Sequence, residues 1–181
     1  MQMNVSRIAL PLLGLALACS AQAATTVTGQ IAANLTLTSA CLVNGAGTGG
    51  GTGVNFGALN FGTTTSLFTT AGAQVLGGGG GALSIQCSSG TTPSLKVRAG
   101  SHDGSSTGGT RALADGTLSN FVAYDLYTDS GFSSLLAIDG TINLAVSTGA
   151  AQTVNIYGRA VGKSGLPAGV YTDTVSVELT F

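Results

Sequence analysis

His102 is the chain's only histidine, and it lies in the run Gly100-Ser101-His102-Asp103-Gly104. A Ser/His/Asp hydrolase would have to be built on it, yet the segment is a flexible Gly/Ser run without a nucleophile-elbow motif, so a solvated loop histidine explains it better. Asp125 and Asp129 could be paired carboxylates for glycoside hydrolysis, but they fall on or just after a predicted strand and the chain has no tryptophan to form a sugar platform. Solvent-face and turn aspartates account for both. Asp103, Asp115 and Asp139 each precede a glycine, which is turn chemistry and not an Asp-rich calcium array. Gly77 to Gly81 precedes a strand and has no lysine nearby, so it lacks the helix and the cation of a phosphate cradle. The reading is therefore of no enzyme, with no catalytic residue, no metal ligand and no small-molecule cofactor.

Of three cysteines, Cys19 sits in a segment that reads as a secretory signal, residues 1–23: Arg7 supplies positive charge, Ile8 to Ala18 is apolar, and Ala21-Gln22-Ala23 is an A-x-A cleavage site. Lipidation at Cys19 is the competing reading, weakened by Ala16 where a lipobox usually has leucine. The apolar run contains Pro11 and Gly14 and is shorter than the roughly 20 residues a membrane-spanning helix needs. Removal of the signal leaves Cys41 and Cys87, an even pair in an exported chain, which points to one disulfide; two free buried thiols are the alternative.

The elements that would carry these residues are strands. Charged residues make up 7% of the chain and aliphatic, Gly, Ser and Thr residues dominate it, against roughly 25% charged in ordinary soluble proteins. With six basic and seven acidic residues, a nucleic-acid surface is excluded. Apolar residues alternate with polar ones and nowhere recur convincingly at helical spacing, so the fold class is all-β. Val27, Gly29, Ile31, Ala33, Leu35 and Leu37 share one face of a first segment. Tyr171, Asp173, Val175, Val177, Leu179 and Phe181 share one face of the last, with Asp173 its one polar exception. Further strands are expected at residues 54–61, 82–87, 94–99, 121–128, 141–146 and 151–160. Tyr124 would face the core from the fourth of these, and Tyr127 solvent or a neighbour. The glycine runs 45–53, 77–81 and 100–109 are expected as loops at the ends of a two-sheet Greek-key sandwich, too poor in side chains to pack well.

The ordered strings Phe56-Gly57-Ala58-Leu59-Asn60-Phe61-Gly62, Leu83-Ser84-Ile85-Gln86-Cys87, Val122 to Tyr127, Ile156-Tyr157-Gly158-Arg159 and Ala168 to Val175 resemble the spore coat protein U domain family. That family includes the archaic, Csu-type chaperone-usher pilins. The resemblance implies an incomplete immunoglobulin-like β-sandwich that lacks one strand and is completed by a donor strand from the next subunit. By it, residues 24–33 would be the donor extension, with Val27, Gly29, Ile31 and Ala33 inserted, and residues 34–181 the pilin domain, with Leu35 and Leu37 on its own first strand. The last strand, with Tyr171, Val175, Val177, Leu179 and Phe181, would pair with a periplasmic chaperone. The implied partners are identical or related pilin subunits, that chaperone and an outer-membrane usher. The implied role is a surface pilus subunit in adhesion and biofilm formation, exported through the periplasm. A coat protein of the same fold and a carbohydrate-binding module using Tyr127 or Tyr157 are the alternatives.

Overall fold

The computed structural model describes residues 24–48 and 53–181. The expected signal segment 1–23, and residues 49–52 of the first glycine run, lie outside the described residues. The chain divides into two units between Thr36 and Leu37.

In the first unit, residues 24–36 form no strand and all are exposed. The alternation is present, but a strand exists only where its amides find a ladder. Leu35 and Leu37, expected on the subunit's own first strand, are each 83% exposed. Strand structure begins only at Cys41.

The second unit is all-β. Its strands are β1 (Cys41–Val43), β2 (Ala46–Gly47), β3 (Ala58–Leu59), β4 (Thr70–Leu76), β5 (Leu83–Cys87), β6 (Ser94–Gly100) and β7 (Arg111–Asp115). There follow β8 (Phe121–Tyr127), β9 (Gly140–Asn143), β10 (Gln152–Val154), β11 (Tyr157–Val161), β12 (Tyr171–Thr172) and β13 (Val175–Thr180). They form antiparallel sheets in the orders β10-β5-β1-β2, β12-β7-β8-β11-β4-β3 and β13-β6-β9. Backbone bonds from Leu144 to Pro93 and from Ser147 to Thr91 carry the β6–β9 ladder on toward β5, so the first and third sheets continue into each other. Their inward residues Ile85, Leu95 and Val97 share one core with Tyr124, Leu126 and Ala160 of the six-stranded sheet. The result is a two-layer sandwich.

Local chemistry explains several joints. Asn44 and Gly45 both have positive φ, 52° and 80°, the two-residue Asn-Gly turn whose twist suits a hairpin, and they place Val43 opposite Ala46. Cys41 and Cys87 stand opposite each other in the β1–β5 ladder and are joined by a disulfide. Closing a loop with a sequence separation of 46 stabilises the fold by about 4 kcal/mol in the chain-entropy account.

Several expectations need correction. The expected strand 54–61 shrinks to β3, and 151–160 divides into β10 and β11 around Asn155 and Ile156. β4 and β7 were not expected. The last strand is two: Tyr171 pairs in the six-stranded sheet with Asp115, whereas Val177 and Leu179 pair with β6, so the chain changes sheets at Asp173 and Thr174. Tyr127 lies on the opposite face from Tyr124 yet is buried, because Phe132 meets its ring edge-on at 5.5 Å and Arg159 lies over it at 5.3 Å. The run 100–109 does pack. A Cβ at Gly108 would be in van der Waals contact with Ala123 and Val161, and Ser106 bonds the carbonyl of Phe121.

Candidate functional site

The sandwich is open along one seam. β13 has β6 as its one partner among the described strands, and its other edge is unpaired. Val175, Val177 and Leu179 point inward by strand alternation but are only half-buried. Across from them run Val54, Phe56, Leu59 and Phe61, which are also half-buried. Residues 53–57 form no strand. Gly57, with φ 119°, lets this stretch pass close over the backbone of Leu76, where a Cβ would collide with the carbonyl oxygen.

Two cavities occupy the seam. One, of about 570 Å³, has Val54, Phe56, Val175 and Val177 on its walls and Leu83, Val97, Leu126 and Ile156 beneath. The other, of about 680 Å³, continues past Phe68, Val122, Leu166 and Tyr171. Leu59, Phe61, Leu113 and Asp173 border both, so the two form one apolar groove. An apolar groove beside an unpaired strand edge has two unmet demands at once, water on hydrocarbon and backbone groups without a ladder.

Asp173 supplies the polar spot in that groove. Its Oδ2 accepts the Tyr124 hydroxyl at 2.7 Å and its Oδ1 accepts the Ser101 amide at 2.9 Å. Burial, and then the adjoining Asp173 carboxylate, push the Tyr124 phenol far above its ordinary range, so it stays a donor. Close by, Arg111 is fully buried and donates through Nη1 to the Arg98 carbonyl, with Asp103 Oδ1 3.8 Å away. Asp103 in turn accepts the Gly100 amide.

Residues singled out for other chemistry are spread over the fold. His102 lies in the loop after β6, half-buried, its ring 6.1 Å from that of Phe121. Asp125 accepts the amide and hydroxyl of Thr110 at 2.7 and 2.6 Å, and Asp129 accepts the Ser133 and Ser134 amides, so each carboxylate fastens a loop. Those amide bonds hold the Asp129 carboxyl below its usual range. Asp115 closes the β7–β8 turn through Thr117, Ser119 and Asn120. Tyr157 is half-buried on β11. Of the expected chaperone-pairing residues, Val175, Val177 and Leu179 share β13; Tyr171 lies on β12, and Phe181 lies beyond β13 at 45% exposed.

Val27 and Ile31 are 89% and 97% exposed. Gly29 and Ala33 are exposed on the same alternating row. Arg111 escaped the sequence reading because a charged residue at an inward position conceals the alternation of β7.

A family model described as Spore Coat Protein U domain matches residues 27–178. The chain is similar to Protein U of Myxococcus xanthus, with 27% identity over 164 residues and 87% of each chain covered. It is also similar to a chain in the crystal structure of the CsuC-CsuE chaperone-tip adhesion subunit pre-assembly complex from archaic chaperone-usher Csu pili of Acinetobacter baumannii. That match has a TM-score of 0.48 and 17% identity; it covers 81% of this chain and 41% of the other.

Proposed function

The chain belongs to the Spore Coat Protein U domain family, and from that premise we propose that it is a structural subunit of a surface pilus. Subunits join by donor-strand complementation: residues 24–33 of one copy lie in the groove of the next, beside β13. The observation that carries this reading is a pair of complementary surfaces in one sequence. One is an apolar groove along an unpaired strand edge. The other is an exposed alternating segment whose Val27, Gly29, Ile31 and Ala33 share a face. An extended peptide meets both demands of the groove, supplying ladder bonds to the edge and every second side chain to the hydrocarbon. Such a head-to-tail contact does not close on itself, so it makes a fibre.

Before joining, the groove needs a temporary occupant, a periplasmic chaperone pairing along β13, and an outer-membrane usher would exchange it for the donor. The fibre would stand on the cell surface and serve adhesion and biofilm formation. The name of the Myxococcus relative and the family description favour one second reading, a coat layer built from the same subunit contact without a pilus.

The test compares mature protein with a version beginning at Asn34, on unheated denaturing gels and by electron microscopy. Ladders and fibres from the first and folded, unjoined subunits from the second are expected. Two folded monomers would defeat the reading, and so would wild-type joining by Ile31→Asp, because that charge could not enter an apolar groove uncompensated. Separated fibres distinguish a pilus from a continuous coat in the same images.

A further inference from the structure

The groove is not uniformly apolar, and its one charged lining residue lies where the two cavities meet. Asp173 borders both, and no other Asp, Glu, Lys or Arg lines either. Each of its oxygens has one protein partner, Tyr124 and Ser101. A carboxylate has lone pairs to spare beyond these two bonds, and this one borders a groove that water can enter. The site is also crowded from behind, since a Cβ at Gly100 would run into Asp173 Oδ2. The carboxylate therefore cannot retreat from whatever fills the groove.

The exposed segment contains a matching irregularity. Its row of inward candidates reads Val27, Gly29, Ile31, Ala33. Gly29 is not required by its own backbone: its φ lies outside the left-handed region, and a Cβ built on it would meet nothing within 4 Å. A glycine in an extended row sacrifices apolar contact and chain stiffness, so its use belongs to the bound state and not the free one.

We infer that Gly29 of one copy of this chain seats against Asp173 of the next, and that this contact sets the donor register. The inference rests on the donor-strand reading and adds the position of each residue to it. A bulky side chain over Asp173 would strip water from the carboxylate and return no hydrogen bond, whereas glycine leaves room for a bridging water. With Gly29 over Asp173, where the two cavities meet, Val27 and Ile31 fall on either side of it, one toward each cavity, whichever way the donor runs. Each then enters one of the two cavities. A register two residues away puts Val27 or Ile31 on the carboxylate and is rejected. The groove thus selects a partner segment with a small residue between two branched ones.

The test adds the same side chain at two positions of the exposed segment, Gly29→Val and Ala33→Val, in otherwise mature protein. Both positions are exposed and outside any strand, so subunit folding is not at stake. Gly29→Val is expected to reduce joined subunits at least about tenfold, the factor that corresponds to about 1.4 kcal/mol, while Ala33→Val joins like wild type. Equal joining by the two variants overturns the register and leaves donor insertion standing. A second measurement places cysteine at residue 27, 29 or 31 together with Leu113→Cys, on the groove wall shared by the two cavities. Oxidative cross-linking of neighbouring copies is expected from residue 29. Preference for 27 or 31 overturns the register alone, and no cross-link from any of the three, with joining lost in none, overturns donor insertion as well.

Discussion

β6 and β13 are neighbours in one ladder, with Leu95 opposite Leu179 and Val97 opposite Val177. Their inward faces carry the same residue types, yet Leu95 and Val97 are 0% and 1% exposed while Val177 and Leu179 are half-buried. The difference is in company, not composition. β6 has a strand on each side, β9 and β13, whereas β13 has only β6 among the described strands. Side chains on an edge strand overhang the groove and keep part of their surface in water, so the hydrophobic stabilisation available to β13 is only partly realised in the single chain. What remains unrealised is available to a partner.

The sharpest way to break that comparison is to truncate both leucines. Leu95→Ala removes a fully buried side chain and should destabilise the isolated subunit by about 3 kcal/mol, within the 2–5 range for such sites. Leu179→Ala, already half in water, should lose only about 1 kcal/mol by area. In the joined fibre the Leu179 penalty should change little, because Leu179 lines neither cavity and residues 24–33, in the register inferred above, end near Val177. Urea titration of subunit and fibre measures all of these; equal penalties in the free subunit would mean that β13 is already closed.

The comparison also explains what could be read from the sequence. The strands β5, β6 and β8 and the Cys41–Cys87 pair were legible, because alternation and cysteine parity are properties of single segments. Alternation reports a face and is silent about a partner, so Leu35 and Leu37 are expected on the subunit's own first strand although the structure gives them no ladder. β4 was missed because Thr-Ala-Gly-Ala-Gln offers little apolar contrast, and β7 because Arg111 interrupts its inward row. Asp173 was visible as the one polar exception of the last segment. Its meaning was not, since a groove is a gap in strand order and only the arrangement of β13, β12 and residues 54–61 creates it.

A hydroxyl in place of a methyl asks the same question more gently. Val97→Thr puts an unpartnered hydroxyl in a closed interior and should cost about 1–3 kcal/mol. At Val177 the same substitution keeps access to water in the free subunit and should cost less than about 0.5 kcal/mol, the level of ordinary surface changes. Joining should convert that near-neutral change into a defect, seen as fibres that dissociate at lower denaturant than wild type. Fibres of Val177→Thr as resistant as wild type would show that the inserted segment does not cover this position. Hydrogen exchange supplies a finer reading: β13 should exchange faster than β6 in the subunit, and the two should converge on assembly.

The smallest expected effect concerns how the one-sided strand is held. Arg98 on β6 donates from Nε to Glu178 of β13 at 2.8 Å and from Nη1 to Asp139, just before β9, at 2.7 Å. The guanidinium thus ties the edge strand to its neighbour β6 and that neighbour to the next strand. All three side chains are more than a third exposed, so solvent and salt screen them and the contribution is small. Arg98→Gln should lower the melting temperature slightly at low ionic strength, and by less in about 1 M salt, where the Debye length is roughly 3 Å. The hydrogen bond from Arg98 holds the Asp139 carboxyl below its usual range. A carboxyl depressed on folding stabilises above its unfolded value, near 3.9, and that contribution is lost as pH falls through the lower folded value. The difference between Arg98→Gln and wild type should therefore be present at neutral pH and shrink below about pH 4. A difference unchanged by both salt and acid would assign the role of Arg98 to the packing of its stem between β13 and β9, and the edge strand would then be held by hydrocarbon contact instead of charge.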